Sequence, residues 1–170
     1  MCKSKLGYLV DKYPFYLDND FMKIREVDIY EYIPILRELI EEGKDVPLLV
    51  TGSSMAPFLC HKRDTIIISK PDRTFKKGDM VFYTRPTGQY VMHRIQKVDK
   101  DGNLYIVGDN QVQIEGPLPP SCVFGIIKKI IRKGKVMDKS SFWWFFFEKI
   151  WINIIPLRRP IGKFIAFIKK

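Results

Sequence analysis

Histidine and cysteine are scarce in this sequence. The two histidines are His61 and His93, and the three cysteines are Cys2, Cys60 and Cys122. The cysteines are widely spaced and odd in number. With no Cys-x-x-Cys pair and no Cys/His cluster, neither a zinc site nor any other metal or cofactor is expected, and the pattern leans towards a reducing compartment. Long apolar runs are also absent. None reaches the roughly 18–20 residues that a spanning helix needs. Near the N-terminus, Tyr8-Leu9-Val10 is broken at once by Asp11 and Lys12. Neither a signal peptide nor a membrane anchor is expected there, so synthesis is expected in the cytoplasm. No internal repeat recurs at a fixed period.

Charge is unevenly placed. Residues 1–125 hold 17 Lys+Arg and 17 Asp+Glu, and the totals are 29 and 19. Residues 126–170 therefore carry 12 basic and 2 acidic residues, which is the whole formal +10. A basic patch spread over a folded body would suggest nucleic acid. A neutral body with a basic, aromatic tail suggests an anionic membrane surface instead. Three regions are expected: an arm and helix over 1–45, a β-domain over 46–138 and an amphipathic tail over 139–170. Residues 1–27 read as an irregular arm with a turn at Asp18-Asn19-Asp20.

Ile29, Ile33, Leu36 and Ile40 recur at helical spacing, which predicts a helix over about 29–42. Asp28 and Glu31 suggest a capping box, and Gly43 stands where a helix C′ glycine belongs. Pro34 predicts a later start or a bend. After Gly43 the period changes. Val46–Val50, Thr65–Ser69, Met80–Tyr83, Tyr90–Val98, Leu104–Val107 and Val123–Ile131 are short and rich in β-branched or aromatic residues. Turn signals at Lys77-Gly78-Asp79, Pro86-Thr87-Gly88 and Asp101-Gly102 separate them. Lys133-Gly134 turns a last hairpin into Lys135–Met137. The expected fold class is mostly β: a compact, coiled antiparallel fold with an N-terminal helix and an aromatic, basic C-terminal tail.

Three short segments carry polar residues suited to chemistry. In Thr51-Gly52-Ser53-Ser54-Met55-Ala56-Pro57-Phe58, a strand runs into a turn that would expose Ser54, with the backbone N–H groups of Ser53 and Ser54 free to face an oxyanion. By itself, Gly-Ser-Ser is ordinary turn vocabulary. Serine needs a base. His61 lies in a basic, solvated turn. His93 lies in a strand, on one face with Val91 and Ile95. Gly108-Asp109-Asn110 follows the next strand. A two-residue turn at Asp101-Gly102 would set His93 opposite Asn110 and beside Asp109, and a one-residue change would bring Asp109 directly opposite.

Ser54-Met55-Ala56-Pro57-Phe58, Gly78-Asp79-Met80-Val81, His93-Arg94-Ile95 and Gly108-Asp109-Asn110, in this order over about 46–131, resemble the boxes of the type I signal peptidases. With histidine where the bacterial housekeeping enzymes have lysine, the chain resembles the branch found in the endoplasmic reticulum, archaea and some spore formers. The resemblance implies a serine endopeptidase cleaving a leader or signal-like peptide, with Ser54 as nucleophile and His93 as general base. It leaves open whether Asp109 or Glu115 orients His93, because that branch has a second acidic residue about six positions after the Gly-Asp-Asn box. Gly52 stands where many members have an oxyanion-holding serine, so the amides of Ser54 and Ser53 carry that role. A regulatory self-cleaving relative would use lysine and a helix-turn-helix, which residues 1–45 do not offer. A catalytically inactive peptide-binding module is the competing reading.

The tail is expected to bind an anionic membrane peripherally through residues 142–170. Phe142–Phe147 and Trp151 would insert, and Lys149, Arg158, Arg159, Lys163, Lys169 and Lys170 would supply charge. The body 1–138 is expected to stay folded without it. The other expected partner is a peptide or preprotein substrate, and nucleic acid is not expected.

Overall fold

In the computed structural model the chain divides into two compact units, 1–32 and 33–170. The structure describes residues 29–161, so the fold is that of the second unit. The expected arm over 1–27 with its turn, the Asp28–Glu31 capping box and the cations Lys163, Lys169 and Lys170 lie outside the described residues.

Helix α1 spans Ile29–Glu41 and runs through Pro34 rather than starting after it. Ile33, Leu36 and Ile40 form its buried stripe. It ends in a Schellman motif: Lys44 N–H donates to the Leu39 carbonyl at 3.0 Å and Gly43 N–H to Ile40 at 2.9 Å. Gly43 takes the left-handed conformation this needs, with φ 82°.

Eight strands follow: β1 (Val46–Leu49), β2 (Asp64–Ser69), β3 (Met80–Thr84), β4 (Tyr90–Val98), β5 (Leu104–Val107), β6 (Glu115–Leu118), β7 (Val123–Arg132) and β8 (Lys135–Met137). They form one sheet in the order β1-β2-β7-β3-β4-β5-β6, with β8 on β7. Every pairing is antiparallel. The mostly β, antiparallel expectation therefore holds, and β6 is an addition to it. Met80 to Tyr83 are all buried, because the sheet curls and covers β3 on both faces. One face packs Val81, Tyr83, Ile95, Leu104, Ile106, Leu118 and Val123 into a core.

After β8 the chain makes short helical turns over Phe142–Phe145, Phe146–Ile150, Trp151–Asn153 and Ile155–Leu157. Trp144, Phe147, Trp151, Ile152, Ile155 and Arg158 are buried, whereas Phe142, Trp143, Phe145, Ile150 and Leu157 are exposed. Phe58 packs on Trp144 at 5.9 Å and on Phe147 at 4.8 Å between ring centroids. Ile152 and Ile155 pack with Val107 of β5. The inner side of the tail is thus part of the core. Burying such side chains contributes about 1.5–3 kcal/mol each, so losing five of them would cancel most of a typical net stability of about 5–15 kcal/mol. This packing weighs against the expectation that 1–138 folds alone, which a thermal melt of that truncation tests.

Candidate active site

Strand alternation sorts the candidate residues onto two faces. In the β3–β4 ladder Val81 opposes His93 and Tyr83 opposes Val91. Directly opposed residues share a face, so Tyr83 is the diagonal neighbour of His93. His93 is 1% exposed. The Tyr83 hydroxyl lies 3.3 Å from its Nδ1, and Glu115 Oε1 lies 3.4 Å from the same atom. Glu115 opens β6 and opposes Ile106 of β5. Its carboxylate accepts from the Tyr83 hydroxyl at 3.0 Å and from Arg85, Nε to Oε2 at 2.7 Å and Nη2 to Oε1. Arg85 and Tyr83 thus aim Glu115 at the Nδ1 end of the imidazole. Nε2, the other ring nitrogen, is buried without a hydrogen-bond partner. A proton on Nδ1 facing Glu115 leaves the Nε2 lone pair as the basic site.

Asp109 takes no part in this arrangement. The turn after β4 is one residue longer than expected, since Asp99 N–H donates to Asn103 across Lys100-Asp101-Gly102. A bulge between Ile95 and Lys97 shifts the register again. The last ladder pair is Arg94 with Val107, so the next step sets His93 against Gly108 rather than Asn110. Asp109 falls on the other face, with Arg94. Both are fully buried and pair in a bidentate fork, Nε to Oδ1 at 3.0 Å and Nη2 to Oδ2 at 2.9 Å. Arg94 also donates to the Gly78 carbonyl at 2.9 Å and lies 5.1 Å over the Phe58 ring. This buried arginine of the His93-Arg94-Ile95 box therefore touches the other three sequence boxes.

Ser54 is held from behind. Its carbonyl accepts from Asn110 N–H at 2.8 Å, and the Ser53 carbonyl accepts from Asn110 Nδ2 at 3.3 Å. A Cβ at Gly108 would come within 2.7 Å of the Ser54 oxygen, so only glycine allows the approach. Among the described residues, the Ser53 and Ser54 N–H groups donate to no backbone oxygen, as an oxyanion site requires. His61, expected to be merely solvated, accepts from Gly52 N–H through Nδ1 at 3.0 Å and anchors the start of the turn.

Electrostatics favour a neutral base. Burial pushes the His93 pKa down to about 4, and the raising effect of the Glu115 carboxylate does not offset burial and Arg85. For Glu115 itself burial acts upwards, but the Arg85 and Tyr83 hydrogen bonds win and hold it below the usual carboxylate range. Burial raises the Tyr83 hydroxyl, with Glu115 adding to it, so Tyr83 remains a donor. A base must be unprotonated. Activity is therefore expected to persist from neutral pH to about 5 and to fall as pH passes through about 4, rather than near the unperturbed value of about 6.5. A kcat/KM profile with its acid limb near pH 6.5 would contradict this environment.

Four residues missed by the sequence reading complete the site. Tyr83 and Arg85 hold Glu115; period-two spacing on β3 places them on one face with Val81, a signal that was available. Trp151 and Arg158 grip the Gly-Asp-Asn segment from the tail, Trp151 Nε1 to the Asp109 carbonyl at 2.8 Å and Arg158 Nη1 to the Gly108 carbonyl at 2.7 Å. Arg158, assigned to membrane attraction from sequence, is buried instead. Among the described residues no cluster of His, Cys, Asp or Glu could hold a metal ion.

A model of the family described as Peptidase S24-like matches residues 22–131 of the 170. A search of the curated proteins finds no match for the chain.

Proposed function

This chain belongs to the Peptidase S24-like family, a serine-peptidase type of hydrolase, and from that premise we propose that it is an endopeptidase cleaving leader or signal-like peptides at a membrane surface. In this reading Ser54 is the nucleophile, His93 Nε2 the general base, and Glu115 the group that fixes the imidazole. The observation that carries it is the state of His93: Nδ1 faces a carboxylate while Nε2 is buried without a hydrogen-bond partner. His93 takes the Ser54 proton as Oγ attacks the peptide carbonyl, and the Ser53 and Ser54 amides receive the oxyanion. The imidazolium then protonates the leaving amine. Water resolves the acyl-enzyme with His93 as base again.

The test is covalent trapping. A fluorophosphonate probe is expected to modify Ser54, read by peptide mass spectrometry, and to leave His93→Ala and Ser54→Ala unlabelled. Because Nε2 is not hydrogen-bonded to Ser54, an inactive peptide-binding module is the second reading. Failure of the folded wild type to label or to cleave any leader-like peptide selects it.

The membrane part of the reading is supported by the outward side of the tail, where Phe142, Trp143, Phe145, Ile150 and Leu157 are exposed amid the basic residues. No helix among the described residues is long and apolar enough to cross a membrane. Interfacial insertion of aromatics beside lysines and arginines fits this composition. The full chain is expected to float with anionic liposomes, less so at high salt, and the Phe142→Ser/Trp143→Ser/Phe145→Ser variant is expected to stay folded and sediment. Equal flotation of the two would remove the tail from the membrane.

A further inference from the structure

Two arginines beside the candidate site lack a carboxylate of their own. Arg158 is 5% exposed. Its Nη1 donates to the carbonyls of Gly108 at 2.7 Å and Gln111 at 2.8 Å, and its Nη2 to Trp151 at 3.1 Å. Its Nε is buried and unbonded. Burial pushes the guanidinium below its ordinary value, with Asp109 acting against it and Arg94 adding to it. Arg159 is exposed, and among the described residues it joins no ion pair. Arg158 also lies 5.6 Å over the Trp151 ring, but a buried cation held by carbonyl dipoles and a ring face, with no paired anion, remains costly.

Both arginines line a cleft of about 680 Å³. Its other charged walls are Arg85 and Glu115, which pair with each other, and the rest is neutral, Asn110 and Gln113 included. Three guanidiniums therefore face one carboxylate. Two of the residues lining the cleft also touch the candidate site. Asn110 holds the Ser53 and Ser54 carbonyls, and Glu115 faces His93. A peptide lying across Ser54 can place a side chain in the cleft without leaving the body of the protein.

We propose that this cleft is a subsite for a carboxylate-bearing residue of the peptide substrate, so that the protein prefers an Asp or Glu near the cleaved bond. The proposal rests on the peptidase reading for its peptide and adds the specificity. Guanidinium–carboxylate recognition supplies the chemistry, through charge-assisted hydrogen bonds in a partly enclosed space.

The probe is a set of fluorescein-labelled ten-residue peptides in which Glu replaces Gln at one position at a time. Binding to the full-length Ser54→Ala protein is read by anisotropy. At one position or two adjacent ones, Glu is expected to bind about tenfold more tightly than Gln, and the gain is expected to shrink with salt. Arg159→Gln is expected to reduce that gain by more than it changes the affinity for the Gln peptide. Gln113→Glu, which adds a carboxylate to the cleft wall, is expected to abolish it. Absence of any Glu/Gln difference, or a gain untouched by both variants, overturns the proposal. Displacement of bound peptide by phosphatidylserine vesicles, without a Glu/Gln difference, assigns the cleft to lipid headgroups and overturns it too. Hydrolysis of the same peptides by the wild type separates the two readings. A Glu preference without cleavage keeps the subsite and removes the peptidase; cleavage without preference does the reverse.

Discussion

Asp109→Ala is expected to cost about 3–5 kcal/mol of stability, because it leaves Arg94 as an unpaired charge inside the protein. In a chain of this length that corresponds to a fall in Tm of about 10 °C. The magnitude follows from complete burial of both partners and from the bidentate fork between them. Arg94 cannot turn to solvent, since it also spans Gly78 and the Phe58 ring. Asp109→Asn keeps the shape and some of the hydrogen bonds, so it is expected to cost less and to retain cleavage per folded molecule within about threefold. Replacing both partners, Arg94→Met with Asp109→Leu, is expected to recover part of the loss, as removal of a whole buried pair often does. Thermal melts of the three variants decide this. An Asp109→Ala melt within about 2 °C of wild type would show that the fork is not structural.

Glu115→Gln is expected to behave in the opposite way, sparing the fold and damaging the chemistry. Glu115 is about a quarter exposed, with a side-chain relative accessibility of 23%, so the loss of its charge is tolerated. Without the carboxylate, however, nothing selects the Nδ1-protonated tautomer that leaves Nε2 basic, and nothing stabilises the imidazolium. A fall in kcat/KM of about 10²–10⁴ is expected. The acid limb is expected to move lower still, because Glu115 is the group that raises the His93 pKa. A merely structural role would not move that limb. Combined with His93→Ala, the change is expected to cost little beyond His93→Ala alone. A Glu115→Gln enzyme within threefold of wild type, with an unchanged pH profile, would return the orienting role to another group.

The contrast between these two acids explains how much was legible beforehand. The strands leading to Ser54 and Asp109, and the one through His93, could be read because β-branched runs alternate with glycine-marked turns. Strand β6 could not, since Glu115-Gly116-Pro117-Leu118 contains a glycine and a proline and no alternation. The choice between Asp109 and Glu115 depended on face, and face depends on register. A longer turn and a bulge moved His93 two places along its partner, from Asn110 to Gly108, and the sequence marks neither. The acid shift of His93 comes from burial, which no local pattern encodes. The tail was more readable than its charge suggested: Trp144, Phe147, Trp151, Ile155 and Arg158 recur at spacings of three and four, which is the mark of a docked helical stripe.

The grip of Trp151 and Arg158 on the carbonyls of residues 108, 109 and 111 also has a bearing on biosynthesis. Chains are made from the N-terminus, and the segments holding Ser54, His93 and Glu115 emerge before these two residues do. The contacts that brace the segment behind the serine span 42 to 50 positions of sequence. They form only when residues 151–158 have left the ribosome. A nascent or prematurely terminated chain would carry every reacting group and still lack the brace that sets them. In the proposed reading, competence for chemistry therefore waits for residues 151–158 and does not arrive with the translation of Ser54, His93 and Glu115 themselves.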